Sequence, residues 1–88
     1  MKNYKEINQM LKDRYVLHEG IKDDAENNMV ENYANKRSKA YKDAKKEYND
    51  YFVRGCEIIR IYAEINNISF VDAMHILNNY KKSKRVAQ

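Results

Sequence analysis

The chain of 88 residues contains no Pro and no Trp, only two Gly and a single Cys. A lone Cys excludes a disulfide scaffold, a zinc ribbon and a CxxC redox site, and two Gly exclude a collagen-like repeat. Pro and Gly are also the residues that most often interrupt helices. Their scarcity makes helix the default wherever apolar residues recur three and four positions apart, so the sequence predicts an all-α fold.

Long hydrophobic runs are missing as well. No stretch approaches the roughly 18 uncharged residues of a membrane span, and the charged segment at residues 1–6 leads into no signal-peptide pattern. We therefore expect a cytoplasmic protein without membrane contacts, in which Cys56 is reduced. A chain of this length builds at most one hydrophobic core, which predicts a single all-helical domain over residues 1–88.

Helical periodicity predicts a small bundle of two short helices packed on a long central helix. The first helix covers about residues 3–18, and Gly20 follows it in the position of a C-cap. The central helix covers residues 21–66. Unbroken, it would be about 68 Å long, which exceeds an 88-residue globule. Either it kinks or breaks near residues 35–47, or a second subunit covers its exposed face.

The third predicted helix covers about residues 69–81 and has the clearest start signal in the chain. Ser69 is followed three residues later by Asp72, a variant of the capping box. Beyond this helix, residues 82–88 form a basic tail that we expect to be frayed.

An apolar stripe along the second half of the central helix predicts where another helix packs. Its members are three and four residues apart, and residues 51–65, widened by Phe52, Val53, Ile59 and Ile61, are predicted to be the best-buried segment. Tyr recurs in this stripe, and Tyr is enriched at protein interfaces, although a small open bundle would also place Tyr near solvent. Gly55 predicts a close helix crossing. The candidate interface residues are Tyr41, Ala44, Tyr48, Tyr51, Gly55 and Tyr62, and we expect a homodimer.

Charge is segregated along the chain. Residues 19–32 carry a net charge of −4, whereas residues 36–46 carry +5. If residues 36–46 are helical, Lys36, Lys39, Lys42 and Lys46 share one face. Such a basic face has three interpretations: a solvated surface, a contact for phosphates, or a docking site for an acidic protein. The candidate contacts are Lys36, Arg37, Lys39, Lys42, Lys46, Lys81, Lys82, Lys84 and Arg85.

Catalytic motifs are nearly absent from the sequence. His18 and His75 are not paired with Cys or carboxylates at ligand spacing, and no HExxH, Walker, GxGxxG or GxSxG pattern occurs. His18 is predicted to cap the first helix beside Gly20, and Cys56 to be a small buried hydrophobe. We therefore expect no enzyme activity, no cofactor and no metal site.

These features favour a small regulatory or inhibitory protein that covers a surface of a larger protein partner. In size and composition the chain resembles accessory proteins of phages and mobile elements, including anti-CRISPR inhibitors, although no specific motif carries this resemblance. The alternative is a nucleic-acid-binding regulator that uses the lysine face and the basic tail. A helix-turn-helix over residues 62–73 would suit it, but Asp72 on the outer face would repel phosphates.

Overall fold

Three α-helices and one short 3-10 turn make up the protein, described here by a computed structural model over residues 3–86, with side chains as far as Lys84. Helix α1 spans Tyr4–Glu31, α2 spans Lys39–Asn66 and α3 spans Phe70–Val86, while the 3-10 turn spans Tyr33–Asn35. No strand occurs in residues 3–86. The predicted all-α bundle is confirmed, although the helices divide the chain differently.

Helix α1 continues through Gly20, so the prediction that the first helix ends there is wrong. The helix begins at Asn3, whose Oδ1 accepts a hydrogen bond of 2.9 Å from the backbone N–H of Glu6. A glycine inside a helix costs about 1 kcal/mol relative to Ala. Buried side chains on both sides of Gly20, among them Tyr15 and Ala25, outweigh that cost.

The chain turns back between Asn32 and Ser38, at the start of the region where a kink or break is predicted. The side-chain amide of Asn32 donates to the carbonyl of Asn28 at 2.8 Å, and Asn32 ends α1. The hydroxyl of Ser38 accepts from the backbone N–H of Tyr41 at 3.1 Å, which begins α2. These polar side chains satisfy the backbone groups at both helix ends without Pro or Gly.

Helices α1 and α2 therefore form an antiparallel hairpin in place of one long central helix. At its open end, the side-chain amides of Asn8 and Asn66 hydrogen-bond each other reciprocally at 2.9 Å. Near the turn, which we call the hairpin end, the buried Ala25 and Ala44 allow close packing. The apolar stripe of α2 thus packs on α1 of the same chain, and it needs no second subunit to cover it. The homodimer stays a prediction, which light scattering tests.

Helix α3 completes a three-helix core at the open end of the hairpin. As predicted, Ser69 begins this helix: its hydroxyl accepts from the backbone N–H of Asp72 at 3.0 Å. The preceding Asn67 adopts a left-handed conformation with φ 52°, which ends α2. The buried core consists of Leu11, Tyr15, Ile58, Ile59, Tyr62, Ala63, Ala73 and Leu77.

Two features of the second half of the chain differ from expectation. Helix α3 continues to Val86, five residues beyond the predicted end. The tail that we expected to be frayed is therefore helical as far as Val86. Residues 87 and 88 lie outside the described residues. Within the segment predicted to be best buried, Phe52, Val53 and Ile61 are exposed. They lie off the stripe that faces α1, because two long helices bury only one face of each other.

Gly55 lies buried in α2 against α1, as its predicted role at a helix crossing requires. A Cβ atom at this position would be 3.7 Å from Oε2 of Glu19 and 4.0 Å from Cε2 of Tyr15, which are ordinary van der Waals distances. The space therefore accepts a methyl group, and Glu19 and Tyr15 are the first neighbours that a longer side chain would meet.

We expect Gly55→Ala and Gly55→Leu to change stability in opposite directions. Ala fits and improves helix propensity, so it should raise the free energy of unfolding by up to about 1 kcal/mol. Leu should lower it by about 1 kcal/mol net, because overpacking against Glu19 and Tyr15 exceeds the gain in propensity. Urea unfolding measures both, and Gly20→Ala, at a site with nothing within 4 Å, is the control for propensity alone. A more stable Leu variant would contradict the close crossing.

Candidate functional site

The structure turns most of the predicted interface toward α1. Ala44, Gly55 and Tyr62 are buried, and Tyr51 is half-buried beside His18 of α1. These residues stabilise the hairpin. Tyr41 and Tyr48 are also half-buried, but both line a cavity at the hairpin end. Of the six predicted interface residues, these two remain the most available to a partner.

The predicted basic residues near the turn are exposed, but they do not form one face. Lys36 precedes α2, so it lies off the helix that carries the other lysines, and its ammonium sits 4.3 Å from the ring centroid of Tyr33. Arg37 is exposed in the turn. Lys39, Lys42 and Lys46 are exposed on α2, opposite the side that packs on α1.

The predicted basic residues of α3 have different surroundings. The ammonium of Lys81 lies 3.5 Å from Glu19 and 3.2 Å from Asp23, so it is already ion-paired within the chain. Lys82 and Lys84 are exposed, and the side chain of Arg85 lies outside the described residues. Lys82 and Lys84 are therefore more available to an external anion than Lys81.

A groove lined mainly by α2 and α3, with Tyr15, Glu19 and Lys22 of α1 at one end, forms a concave surface in the described part of the chain. Two adjoining cavities, of about 330 and 270 Å³, share Phe52, Cys56 and Phe70 as wall residues. Phe52 is 50% exposed, Val53 54% and Phe70 43%. We call the surface formed by Phe52, Val53, Cys56, Phe70 and Met74 the aromatic groove.

Polar side chains close one end of the aromatic groove around the buried carboxylate of Glu19. Its Oε2 lies 2.9 Å from the ammonium of Lys22, and its Oε1 accepts from the hydroxyl of Tyr15 at 3.1 Å. Lys81 approaches the same oxygen, and Asn78 hydrogen-bonds the Tyr15 hydroxyl. The carboxylate is thus held by three donors from two helices, as a buried ion requires.

The protonation states in this cluster follow from its geometry. Burial, followed by the charge of Glu19, raises the pKa of Tyr15 above its usual value, so the hydroxyl stays protonated and donates. Burial acts to lower the pKa of Lys22, but the hydrogen bond and charge of Glu19 outweigh it, and the net effect raises that pKa. At neutral pH the cluster is a charged, hydrogen-bonded clamp between α1 and α3.

His18 lies in the middle of α1, and the prediction that it caps a helix end is wrong because α1 continues to Glu31. Its ring packs edge-on against Tyr51, with centroids 5.4 Å apart, and its buried Nδ1 has no hydrogen-bond partner. Burial, and then the positive charges of Arg54 and Arg14, lower the pKa of His18 below its usual 6.5. The imidazole is therefore neutral in the folded protein at pH 7.

We expect His18 to make the protein less stable as the pH falls below about 6.5. Its pKa is lower in the folded state, so the unfolded chain binds the proton first, and stability declines from pH 6.5 down through the folded pKa. His18→Phe keeps a ring against Tyr51 without the titration, so its unfolding free energy should change less between pH 6.5 and 5. Urea unfolding at several pH values tests this. Equal slopes for the two proteins would contradict the assignment.

Sequence reasoning missed Phe52 and Phe70 as surface residues. Phe52 directly follows Tyr51 of the inward stripe, so at 100° per residue it points to the side of α2 that α1 leaves uncovered. That offset is a signal in the sequence. Phe70 is the first residue of α3, and its exposure depends on how α3 crosses α2, which no local pattern encodes.

Comparisons with protein-family models, with curated proteins and with solved structures found no match for this chain. None of the helices between residues 3 and 86 combines the length and the apolar character needed to span a bilayer. Within the same residues, no group of three or more His, Cys, Asp or Glu side chains is placed to hold a metal ion.

Proposed function

We propose that this chain is a small, non-enzymatic protein-interaction module that covers a surface of a larger protein partner through the aromatic groove. The observation that carries the proposal is the concave exposure of Phe52 and Phe70, with Val53 beside them. Buried aromatic side chains supply much of the binding energy of protein interfaces. Contiguous exposed apolar surface of this kind marks interaction sites.

The polar end of the groove supports binding rather than catalysis. A general acid or base needs a proton that it can exchange with a substrate. The oxygens of Glu19 are already engaged by Lys22, Lys81 and Tyr15, and Lys81 also pairs with Asp23. This arrangement suits a cluster that stabilises the groove. Its rigidity would reduce the entropy lost when a partner binds.

The proposal extends to the type of protein. A small helical chain that exposes an apolar groove is suited to blocking a site on a larger protein. This supports a regulatory or inhibitory accessory protein of the kind found in phages and mobile elements, including anti-CRISPR-like inhibitors. A cytoplasmic location belongs to the same proposal, and the free thiol of Cys56 is compatible with it.

Affinity capture from a lysate of the source organism tests the groove. We expect a discrete protein to be retained by the wild-type chain and lost with Phe52→Ser/Phe70→Ser. Ile76→Ser is the matched control, because Ile76 is an exposed apolar residue of α3 outside both cavities. Calorimetry with the purified captured protein should give the same result: wild type and Ile76→Ser bind it, and Phe52→Ser/Phe70→Ser does not. Equal binding by all three chains would contradict a role for the groove, and circular dichroism confirms that each is folded.

The alternative function, a nucleic-acid-binding regulator, is favoured by one observation: the exposed basic residues of the hairpin end. If they contact duplex phosphates, log affinity should fall with log salt at a slope near −0.9 per phosphate neutralised. Fluorescence anisotropy with labelled duplex and single strands measures this. Nanomolar binding at physiological salt, abolished when Lys36, Lys39, Lys42 and Lys46 are changed to Glu, would replace the protein-binding proposal by this alternative.

A further inference from the structure

The positive charge of the protein is concentrated at the hairpin end. Residues 29–46 contain six basic and two acidic side chains, so this segment has a net charge of +4. That equals the net charge of the whole chain, and the remaining residues therefore sum to zero. Among the described residues, none of the six basic side chains forms an ion pair with a carboxylate. Their charge is therefore available to an external partner.

An apolar cavity of about 290 Å³ opens at the same end of the molecule. Its lining consists of Glu26, Met29, Val30, Tyr33, Tyr41 and Tyr48. Val30 is 69% exposed and Tyr33 is 62% exposed, so both leave large apolar side chains open to solvent beside the cavity. Among the residues whose side chains the structure describes, only α1, the 3-10 turn and α2 line this cavity, and no residue of α3 does.

Two of the basic residues are neighbours of residues that line the cavity. The ammonium of Lys36 sits over the ring of Tyr33. Lys45 is exposed, four residues after Tyr41 and three before Tyr48, so the three are neighbours on the surface of α2. Glu26 is the one acidic residue in the lining, and it places a negative charge on the α1 side. The site thus combines an apolar centre with one cation at the turn, Lys36, and one on α2, Lys45.

We propose that this site, which we call the hairpin-end site, binds an acidic segment of a protein that inserts one uncharged apolar side chain into the cavity. Carboxylates of the segment would contact Lys36 and Lys45, and the other basic residues of the hairpin end would steer its approach. The inference does not depend on the aromatic groove. It adds a second docking surface nearer the start of α2, which adjoins the aromatic groove where Tyr48 stacks on Phe52.

The cavity favours a protein segment over a nucleic acid. A single strand would need open aromatic faces on which its bases stack. One face of Tyr33 is covered by Lys36, and the ring of Tyr48 stacks on Phe52 with centroids 6.3 Å apart. A duplex presents phosphates and sugars, and it has no side chain to fill an apolar cavity.

Selection from a random peptide library on the intact protein tests the chemistry of the hairpin-end site. We expect the enriched peptides to combine net negative charge with at least one large apolar residue. Labelled peptides should bind Lys36→Glu/Lys45→Glu about tenfold or more weakly than wild type. Lys42→Glu/Lys46→Glu is the charge-matched control on the far side of α2, and we expect a smaller loss. Melting temperatures confirm that the exposed substitutions leave the fold intact.

A second pair of variants isolates the apolar contact. Val30→Ser should weaken the same peptides several-fold, because it removes an apolar contact without changing charge, whereas Val71→Ser, at an exposed residue of α3, should not. Enrichment of neutral or basic peptides would overturn the inference. The inference would also be overturned if the selected peptides lost binding only to Phe52→Ser/Phe70→Ser, because the aromatic groove would then be their binding site. Tighter binding of labelled DNA, weakened equally by both lysine reversals, would assign the hairpin end to nucleic acid instead.

Discussion

Leu77→Ala is expected to lower the free energy of unfolding by about 2 to 5 kcal/mol, the range for large core side chains truncated to Ala. Leu77 has no exposed surface, and it lies in the core formed where α3 packs on the hairpin. The loss combines buried apolar area with a cavity that the surrounding helices fill only partly. Since a domain of this size has about 5 to 15 kcal/mol of stability, one substitution would remove a large part of it.

Urea unfolding followed by circular dichroism measures this effect, with an unchanged m-value as evidence that the folded and unfolded states remain comparable. The matched control is Ile76→Ala at the neighbouring position. Ile76 is 40% exposed, so its truncation should cost less than about 1 kcal/mol. Equal losses at the two positions would show that α3 does not pack on the hairpin as described.

Glu19→Ala is expected to lower the free energy of unfolding by about 2 to 3 kcal/mol. Removing one partner of a buried ion pair typically costs about 3 to 5 kcal/mol, because the remaining charge is left without its partner. Here the cost is smaller, since Lys81 keeps Asp23 and the Tyr15 hydroxyl keeps Asn78. Lys22 loses its carboxylate partner, and the polar end of the aromatic groove loosens.

Glu26→Ala provides the control, because Glu26 lies two turns further along α1 and is exposed. Its free energy of unfolding should stay within about 0.5 kcal/mol of wild type. If Glu19→Ala were equally harmless, the cluster would not clamp α1 to α3. The partner capture test would then show whether the aromatic groove needs this cluster for its shape, because Phe52 and Phe70 remain in place.

The sequence by itself determined the fold class, the inward stripe of α2 and the start of α3. These depend on local physical chemistry. Without Pro and with two Gly, few residues oppose a helix, apolar spacing selects one face, and Ser69 supplies the oxygen that a helix N-terminus needs. Gly55 is likewise identifiable as a crossing point from its place in the stripe.

Only the tertiary structure decided where the chain turns back and which surfaces remain open. The local signals at Asn32 and Ser38 are weak, and they become helix ends because folding back buries Ala25 and Ala44, which a continuous helix would leave exposed. The contact between Glu19 and Lys81 joins residues 62 positions apart. Contacts at such separations depend on how whole helices pack, so no spacing pattern encodes them. The aromatic groove and the hairpin-end site exist for the same reason: both are surfaces that helix packing leaves uncovered.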